Sequence, residues 1–363
     1  MLLWLLDSLA RLVPLDLSGD SRILLSARAA CGGVLAFLAV VIGGRAAIAW
    51  LRRHVRERVT SNSAALDERH AGKNDTPTMG GLPLTIVVVA VVLLTANPGN
   101  AFVWGAVVTL GGFGAIGAVD DLRKARTRRG LSVRQKLVAQ TVVALAAALC
   151  LQRGFAGNAA GDWIIWPFGQ SGLWLGASFP LWAALVMVGA SNGVNLTDGL
   201  DGLAAGCLVI VSAALAGVAY LAGHRILAGY LSIPYLDGVG ELTVVLVAVA
   251  GAMLGFLWFN CHPAQVFMGD SGSLPLGAIL GYVALATRQE ALLVLIGGVF
   301  VAETLSVIAQ VGWFRITGRR LIACSPLHNH FVLRGVSEHR IVVRFWIGST
   351  LLAVVAFASL KID

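Results

Sequence analysis

The chain has 363 residues, of which 57% are hydrophobic and 13% charged, and its mean hydropathy is +0.81. A soluble globular domain carries about 25% charged residues, so composition excludes that class and points to an integral membrane protein. The formal charge of +8 does not imply a nucleic-acid partner, because the basic residues fall in a few loops and not on one soluble face.

The first sixteen residues, MLLWLLDSLARLVPLD, have neither a basic leading region nor a small-residue cleavage site, and read as an interfacial lead-in. Apolar runs then predict ten spans at approximately 24–50, 79–96, 101–119, 134–153, 179–193, 203–222, 241–258, 273–287, 291–313 and 341–360. Each approaches the ~20 residues a helix needs to cross a hydrocarbon core. Tight turns are expected at Asn97-Pro98-Gly99-Asn100 and at Arg288-Gln289-Glu290. Between the fourth and fifth spans, Trp163-Ile164-Ile165-Trp166 and Leu173-Trp174-Leu175 flank a Gly-rich stretch, which predicts a small hairpin at the membrane interface. The fold class expected is all-α: a polytopic membrane protein of about ten helices with a small periplasmic hairpin. Residues 1–363 read as a single membrane domain without an internal repeat. Cys31, Cys150, Cys207, Cys261 and Cys324 show no CxxC or metal spacing and read as packing residues.

Segments 52–78, 120–136 and 314–340 hold 18 of the 27 Lys and Arg residues. Ten spans put all three on one side, which the positive-inside rule assigns to the cytoplasm. The loops at 194–203 and 259–272 fall on that side by parity, and every unusual polar cluster lies there. The third span ends in GAIGAVDDLRK, placing Asp120 and Asp121 at a predicted helix C-terminus, where the helix dipole disfavours anions. The pair therefore needs a cation, either Arg123 and Lys124 or a metal. In SNGVNLTDGLDGLAAG, Asp198 and Asp201 are three residues apart and would share one face of a helical turn, with Asn192 and Asn195 adding amides. Asp270 sits in MGDSGS, a turn able to bring a carboxylate and backbone N–H groups to one point. Polar groups at this density between apolar spans are costly and mark a candidate site. Mg²⁺ suits such a set, since it takes one or two carboxylates and completes its shell with water and phosphate oxygens. Zinc is not indicated: the cysteines are scattered, and His328 and His330 show no obvious carboxylate-rich partner nearby. Lys124 and Lys136 flank the Arg-rich second loop, and Lys73 and Lys124, nearest the motifs, are the better candidates for phosphate contact. Glu303, inside the ninth span, is expected to make a structural hydrogen bond away from the loops.

The motifs TPTMGG (Thr76 to Gly81), Asp120-Asp121, NLTDGLDGL (Asn195 to Leu203), FMGDSGSL (Phe267 to Leu274) and SPLHNHF (Ser325 to Phe331) occur in the order of one family, as do ETLSVIAQVGWF and RFWI. From about residue 70 onward the chain resembles the MraY family, phospho-N-acetylmuramoyl-pentapeptide transferase, within the polyprenyl-phosphate N-acetylhexosamine-1-phosphate transferases. The aspartate motifs fit the wider superfamily, while TPTMGG and the histidine loop point to this branch. One departure stands out: three consecutive histidines are usual in the family, and here the run is His328-Asn329-His330.

The resemblance implies ten helices, a homodimer and an Mg²⁺-dependent reaction on the cytoplasmic face of the bacterial inner membrane. The donor would be UDP-MurNAc-pentapeptide, the acceptor undecaprenyl phosphate, and the products UMP and lipid I. Asp120, Asp121 and Asp270 are the expected catalytic residues, with Asp270 and Asp121 at the metal. Substrate contacts are expected from Lys73, Thr76, Lys124, Lys136, Asn195, Asp198, Asp201, Asn260, Phe267, Gly269, His328, Asn329 and His330. The nearest alternative is a sister transferase that uses UDP-GlcNAc. A transporter would place its charges near the bilayer midplane in repeated, broken helices, whereas these carboxylates sit in loops on one side.

Overall fold

The computed structural model describes residues 22–54, 76–156, 161, 163–165 and 172–360; the expected interfacial lead-in and Lys73 lie outside them. The elements are helices α1 (Arg22–His54), α2 (Gly81–Thr95), α3 (Ala101–Thr127) and α4 (Val133–Gly154), strands β1 (Trp163–Ile165) and β2 (Gly172–Trp174), then α5 (Phe179–Thr197), α6 (Leu203–Ala222), α7 (Arg225–Tyr230), α8 (Glu241–Asn260), α9 (Asp270–Ala286), α10 (Glu290–Ile296), α11 (Gly298–Thr317), α12 (Leu327–Leu333) and α13 (Glu338–Ser359). Among the described residues, eight helices are long and apolar enough to cross a bilayer, so the chain is a multi-pass, all-α membrane protein. Two more expected spans, α2 and α9, are present with 15 and 17 residues. β1 and β2 pair antiparallel, Ile164 opposite Leu173, giving the expected hairpin.

Two expectations change. The third span does not end at 119: α3 continues to Thr127, so Asp120 and Asp121 lie two turns inside a helix and not at its end. Hydropathy marks where an apolar slab stops, but a helix continues while its backbone bonds and charge pairs are satisfied. The ninth span is not continuous: α10 and α11 are separate helices joined at Gly297.

The ends follow from local chemistry. Asn97 accepts from Gly99 N–H at 2.9 Å, making the expected turn, and Asn100 caps α3 by accepting from Phe102 N–H at 2.8 Å. Ser132 and Gln135 form a reciprocal capping box at the start of α4. At the end of the bundle away from the acidic loops, Arg28 on α1 forks onto Glu241 on α8 at 2.6 and 2.9 Å and reaches Thr95 C=O at 3.2 Å. At that same end Arg288 is fully buried, its guanidinium 4.1 Å from the Phe155 ring centre and 4.4 Å from that of Phe179.

α9 is the centre of the molecule, and every one of its residues is buried. It packs on α3 and α5, while α8 packs on α1 and α6. Enclosed by protein on all sides, α9 does not need to match the bilayer thickness. Close approach comes from small residues: a Cβ on Gly117 would lie 2.1 Å from Asp270 C=O, and one on Gly81 would lie 2.2 Å from the Gly272 backbone. Pro275 inside α9 cannot donate to the Ser271 carbonyl one turn back. The Thr85 hydroxyl on α2 donates to that same carbonyl at 3.2 Å, so the buried oxygen keeps a partner.

Candidate active site

The site is built at the N-terminus of α9. Gly269 has φ +70°, and a Cβ there would lie 2.7 Å from Asp121 Oδ2, so both backbone conformation and space require glycine. The turn hands Asp270 to the start of α9, whose first N–H groups have no helical acceptor. Asp121 supplies one: Asp270 N–H donates to Oδ1 at 3.2 Å and Ser271 N–H to Oδ2 at 2.9 Å. An anion at a helix N-terminus is favoured by the dipole. Asp121 thus ties α3 to the residue beside it in the site.

Two lysines bridge the carboxylates. Lys124 Nζ is 2.8 Å from Asp120 Oδ2, 3.0 Å from Asp270 Oδ2 and 3.8 Å from Asp121 Oδ1. Lys136 Nζ on α4 contacts Asp270 Oδ2 and lies 3.5 Å from Asp120 Oδ2. Asp120 also accepts from Leu131 N–H. Asp120, Asp121 and Asp270 are all buried, and one carboxylate oxygen from each lies within 4.8 Å of the others, close enough to share a metal ion.

Asp198 and Asp201 do not share a helical turn; they lie in the connection between α5 and α6 and face different partners. Burial, then the Asp270 and Asp121 charges, push the Asp198 carboxyl up to about 7, against the Gly269 N–H, which lowers it. Asp201 accepts from Ala264 N–H at 3.2 Å and sits 3.0 Å from His262 Nδ1. His262 was not among the expected residues, and nothing local in the sequence singles it out. Asn195 accepts from the Ser273 hydroxyl at 2.7 Å, linking α5 to α9.

Other expected residues have structural tasks. Both ends of the Asn260 amide are engaged within the protein: it accepts from Gly202 N–H at 3.1 Å and donates to Val266 C=O at 2.8 Å. TPTMGG runs beside the segment before Asp270, with Phe267 N–H donating to Pro77 C=O and Gly80 and Gly81 N–H donating to Phe267 and Met268 C=O, all at 2.8–2.9 Å. It is a strut holding the Gly269 turn. Thr76 donates to Ala264 C=O at 3.4 Å, and Phe267 is half-buried beside the turn.

The histidine loop has a carboxylate partner after all. His328 is buried with its Nδ1 3.2 Å from Oε2 of Glu303, which is itself fully buried on α11. The expectation that this pair lacked such a partner, and that Glu303 stood apart from the loops, failed because the contact closes across 25 residues. His330 Nδ1 accepts from Ala323 N–H at 3.1 Å, and Asn329 and His330 are half-buried.

A cavity of about 570 Å³ lies between α5, α10 and α11. Its wall is nearly all apolar, including Trp182, Val186, Leu293 and Gly297, and Leu185, Val294 and Leu305 form an exposed rim. Gly193 and Val194 bring its inner end to the turn of α5 that carries Asn195.

Fold and site together define a multi-pass membrane protein with a buried carboxylate–lysine centre at one end of its bundle, beside an apolar cavity. The family model described as Glycosyl transferase family 4 matches residues 103–288, just over half of the chain. The chain belongs to that family, which contains MraY and related polyprenyl-phosphate hexosamine-1-phosphate transferases. The matched segment runs from the start of α3 to the end of α9, so it contains Asp120, Asp121, Asp198, Asp201 and Asp270.

Proposed function

We propose that this membrane transferase moves phospho-MurNAc-pentapeptide from UDP-MurNAc-pentapeptide to undecaprenyl phosphate, releasing UMP and forming lipid I for peptidoglycan synthesis. The observation that carries the reading is the balance of charge at the N-terminus of α9. Three carboxylates, Asp120, Asp121 and Asp270, meet two ammonium groups, Lys124 and Lys136, and the Asp198 carboxyl stands close enough to feel the Asp270 and Asp121 charges. A divalent cation fits the surplus, and an all-oxygen donor set fits Mg²⁺. Asp270 and Asp121 would hold it. When bound, it would neutralise charge on the phosphates of the donor.

The acceptor's phosphate monoester has a second pKa near ~6, so it is largely dianionic at neutral pH and needs no strong base. One of its oxygens attacks the sugar-linked phosphorus. A P–O bond forms there, the bond between the two donor phosphates breaks, and UMP leaves with the electron pair. The protein's task is to bring anions together, which favours positioning and charge neutralisation. Lys124 and Lys136 answer that need. Asp120, already accepting from two lysines and a backbone N–H, is a weak base and a weak nucleophile. That supports an orienting role at the acceptor over a covalent aspartyl-phosphate. Asn195, Asp198 and Asp201 border the nucleotide side, and the histidine loop the donor's phosphate or sugar. The apolar cavity ending beside Asn195 suits a polyprenyl chain.

Positive charge on the site end supports a cytoplasmic active site in the bacterial inner membrane. A homodimer is part of the reading and is tested by mass measurement in detergent.

The test is UMP release by purified protein given undecaprenyl phosphate, Mg²⁺ and each labelled donor. The pentapeptide donor should be used at least ~100-fold better than UDP-GlcNAc, about 2.7 kcal/mol in the transition state. A site built for the lactyl-peptide leaves polar groups unpaired with the smaller donor. Asn329→His should leave that preference intact. Equal use of the two donors, or preference for UDP-GlcNAc, overturns the reading.

A further inference from the structure

Glu303 lies in the apolar interior of α11 with 0% exposure. A carboxylate there costs free energy, and an apolar residue of the same volume would serve stability as well or better. Its contacts explain its presence. Both carboxylate oxygens accept from the backbone N–H of His328, at 3.1 and 3.4 Å, and Oε2 faces the ring Nδ1 at 3.2 Å. The ring contact is close but off-line for a straight hydrogen bond. Of the two ring tautomers, the one with its proton on Nδ1 avoids setting a lone pair against the Glu303 oxygens.

The His328 backbone N–H is held by Glu303, and that places the opposite ring edge. A Cβ on Gly199 would lie 2.2 Å from His328 Nε2, so the ring lies against the backbone of the Asp198–Asp201 connection. His328 is 1% exposed, which leaves no room for a ligand to cover it. A second latch acts on the same stretch: Gln310 Oε1 accepts from Leu321 and Ile322 N–H, both at 3.0 Å. Glu303 and Gln310 are seven residues apart, two turns on one face of α11. α11 therefore grips the histidine loop at two heights.

We propose that Glu303 is a positioning residue: through His328 it presses on Gly199 and sets the Asp198–Asp201 connection that receives the nucleotide donor. His328 then acts as a wedge and not as a substrate contact. Its neighbour His330, with Nδ1 engaged by Ala323 N–H, keeps Nε2–H as a donor toward the substrate. This rests on the transferase reading given above.

The experiment compares wild type, Glu303→Gln, His328→Asn, the double variant and Gly199→Ala. UMP release is measured against UDP-MurNAc-pentapeptide and, separately, UDP-GlcNAc. Glu303→Gln and Gly199→Ala should each lower kcat/KM for the donor about 10- to 100-fold, the range carried by outer partners of site histidines. The donor KM should rise while that of undecaprenyl phosphate stays unchanged. In the His328→Asn background Glu303→Gln should add less than about 3-fold. A role in stability alone would reduce the active fraction and leave both KM values as they were. That result overturns the proposal, as does full additivity of the two losses. If Glu303→Gln does not fold, Gly199→Ala decides on the same criteria. The ¹⁵N spectrum of histidine-labelled protein, assigned by His328→Asn, gives a reading independent of the donor. His328 should be protonated at Nδ1 in wild type, and a ring protonated only at Nε2 overturns the proposal. Wild-type protein that uses neither donor would remove the transferase reading, with the spectrum still deciding the Glu303–His328 pairing.

Discussion

Asp121→Asn separates anchoring from chemistry. Asp121 accepts from two N–H groups at the start of α9, at 3.2 and 2.9 Å, and is buried. Hydrogen bonds to a charged acceptor contribute about 1.5–3 kcal/mol each, neutral ones about 0.5–1.5. Asparagine keeps one carbonyl oxygen and turns an NH₂ group toward the second N–H, leaving a buried donor without an acceptor. The two effects amount to roughly 2–4 kcal/mol, which at about 2–4 °C per kcal/mol lowers Tm by on the order of 5–10 °C. Tryptophan fluorescence on heating in detergent with a chelator present measures this without any metal contribution. UMP release should fall as well, because Asp270 follows the end of α9 that Asp121 holds. An unchanged Tm with lost turnover would refute the reasoning and assign Asp121 to the reactants or their metal alone.

Asp270→Asn should abolish most turnover and weaken the dependence on Mg²⁺, whereas Asp120→Asn should lose turnover with donor binding kept; kinetics beside calorimetric titration of the donor tells them apart. Mg²⁺ affinity should change with pH because the Asp198 carboxyl is pushed up to about 7. As Asp198 ionises through that pH its negative charge joins those around the metal, so affinity climbs and then levels off, and Asp198→Asn should reduce the pH dependence in a calorimetric series. A reporter fused after Arg129 should appear cytoplasmic and one within 154–178 external; both on one side would break the span count.

Hydropathy located the eight long apolar helices because lipid demands them, and the aspartate motifs pointed to Asp120, Asp121 and Asp270, which the fold brings together. Where α3 stops was not legible. Asp120 and Asp121 look like chain exits from an apolar slab, yet one is held by Lys124 and Lys136 and the other by N–H groups 149 and 150 residues away. The break at Gly297 did leave a signal, the Gly297-Gly298 pair, but the apolar residues on both sides made the stretch read as one continuous span. Asn260 was expected at the substrate, and nothing beside it in the chain shows what its amide bonds within the protein. Only the positions of Gly202 and Val266 reveal that its amide is engaged. Glu303 and His328 lie 25 residues apart in the chain, and their pairing exists only in three dimensions.

The exposed rim of the cavity, formed by Leu185, Val294 and Leu305, opens sideways from the bundle. A substrate arriving by that route is counted per unit area of membrane and not per unit volume of solution. Adding inert phospholipid at constant enzyme and acceptor should then slow turnover, as each lipid phosphate spends longer diffusing among bystanders. Diluting the surrounding buffer should leave the lipid term untouched. The two substrates of one reaction would obey different geometries: one searched for in three dimensions, the other in two.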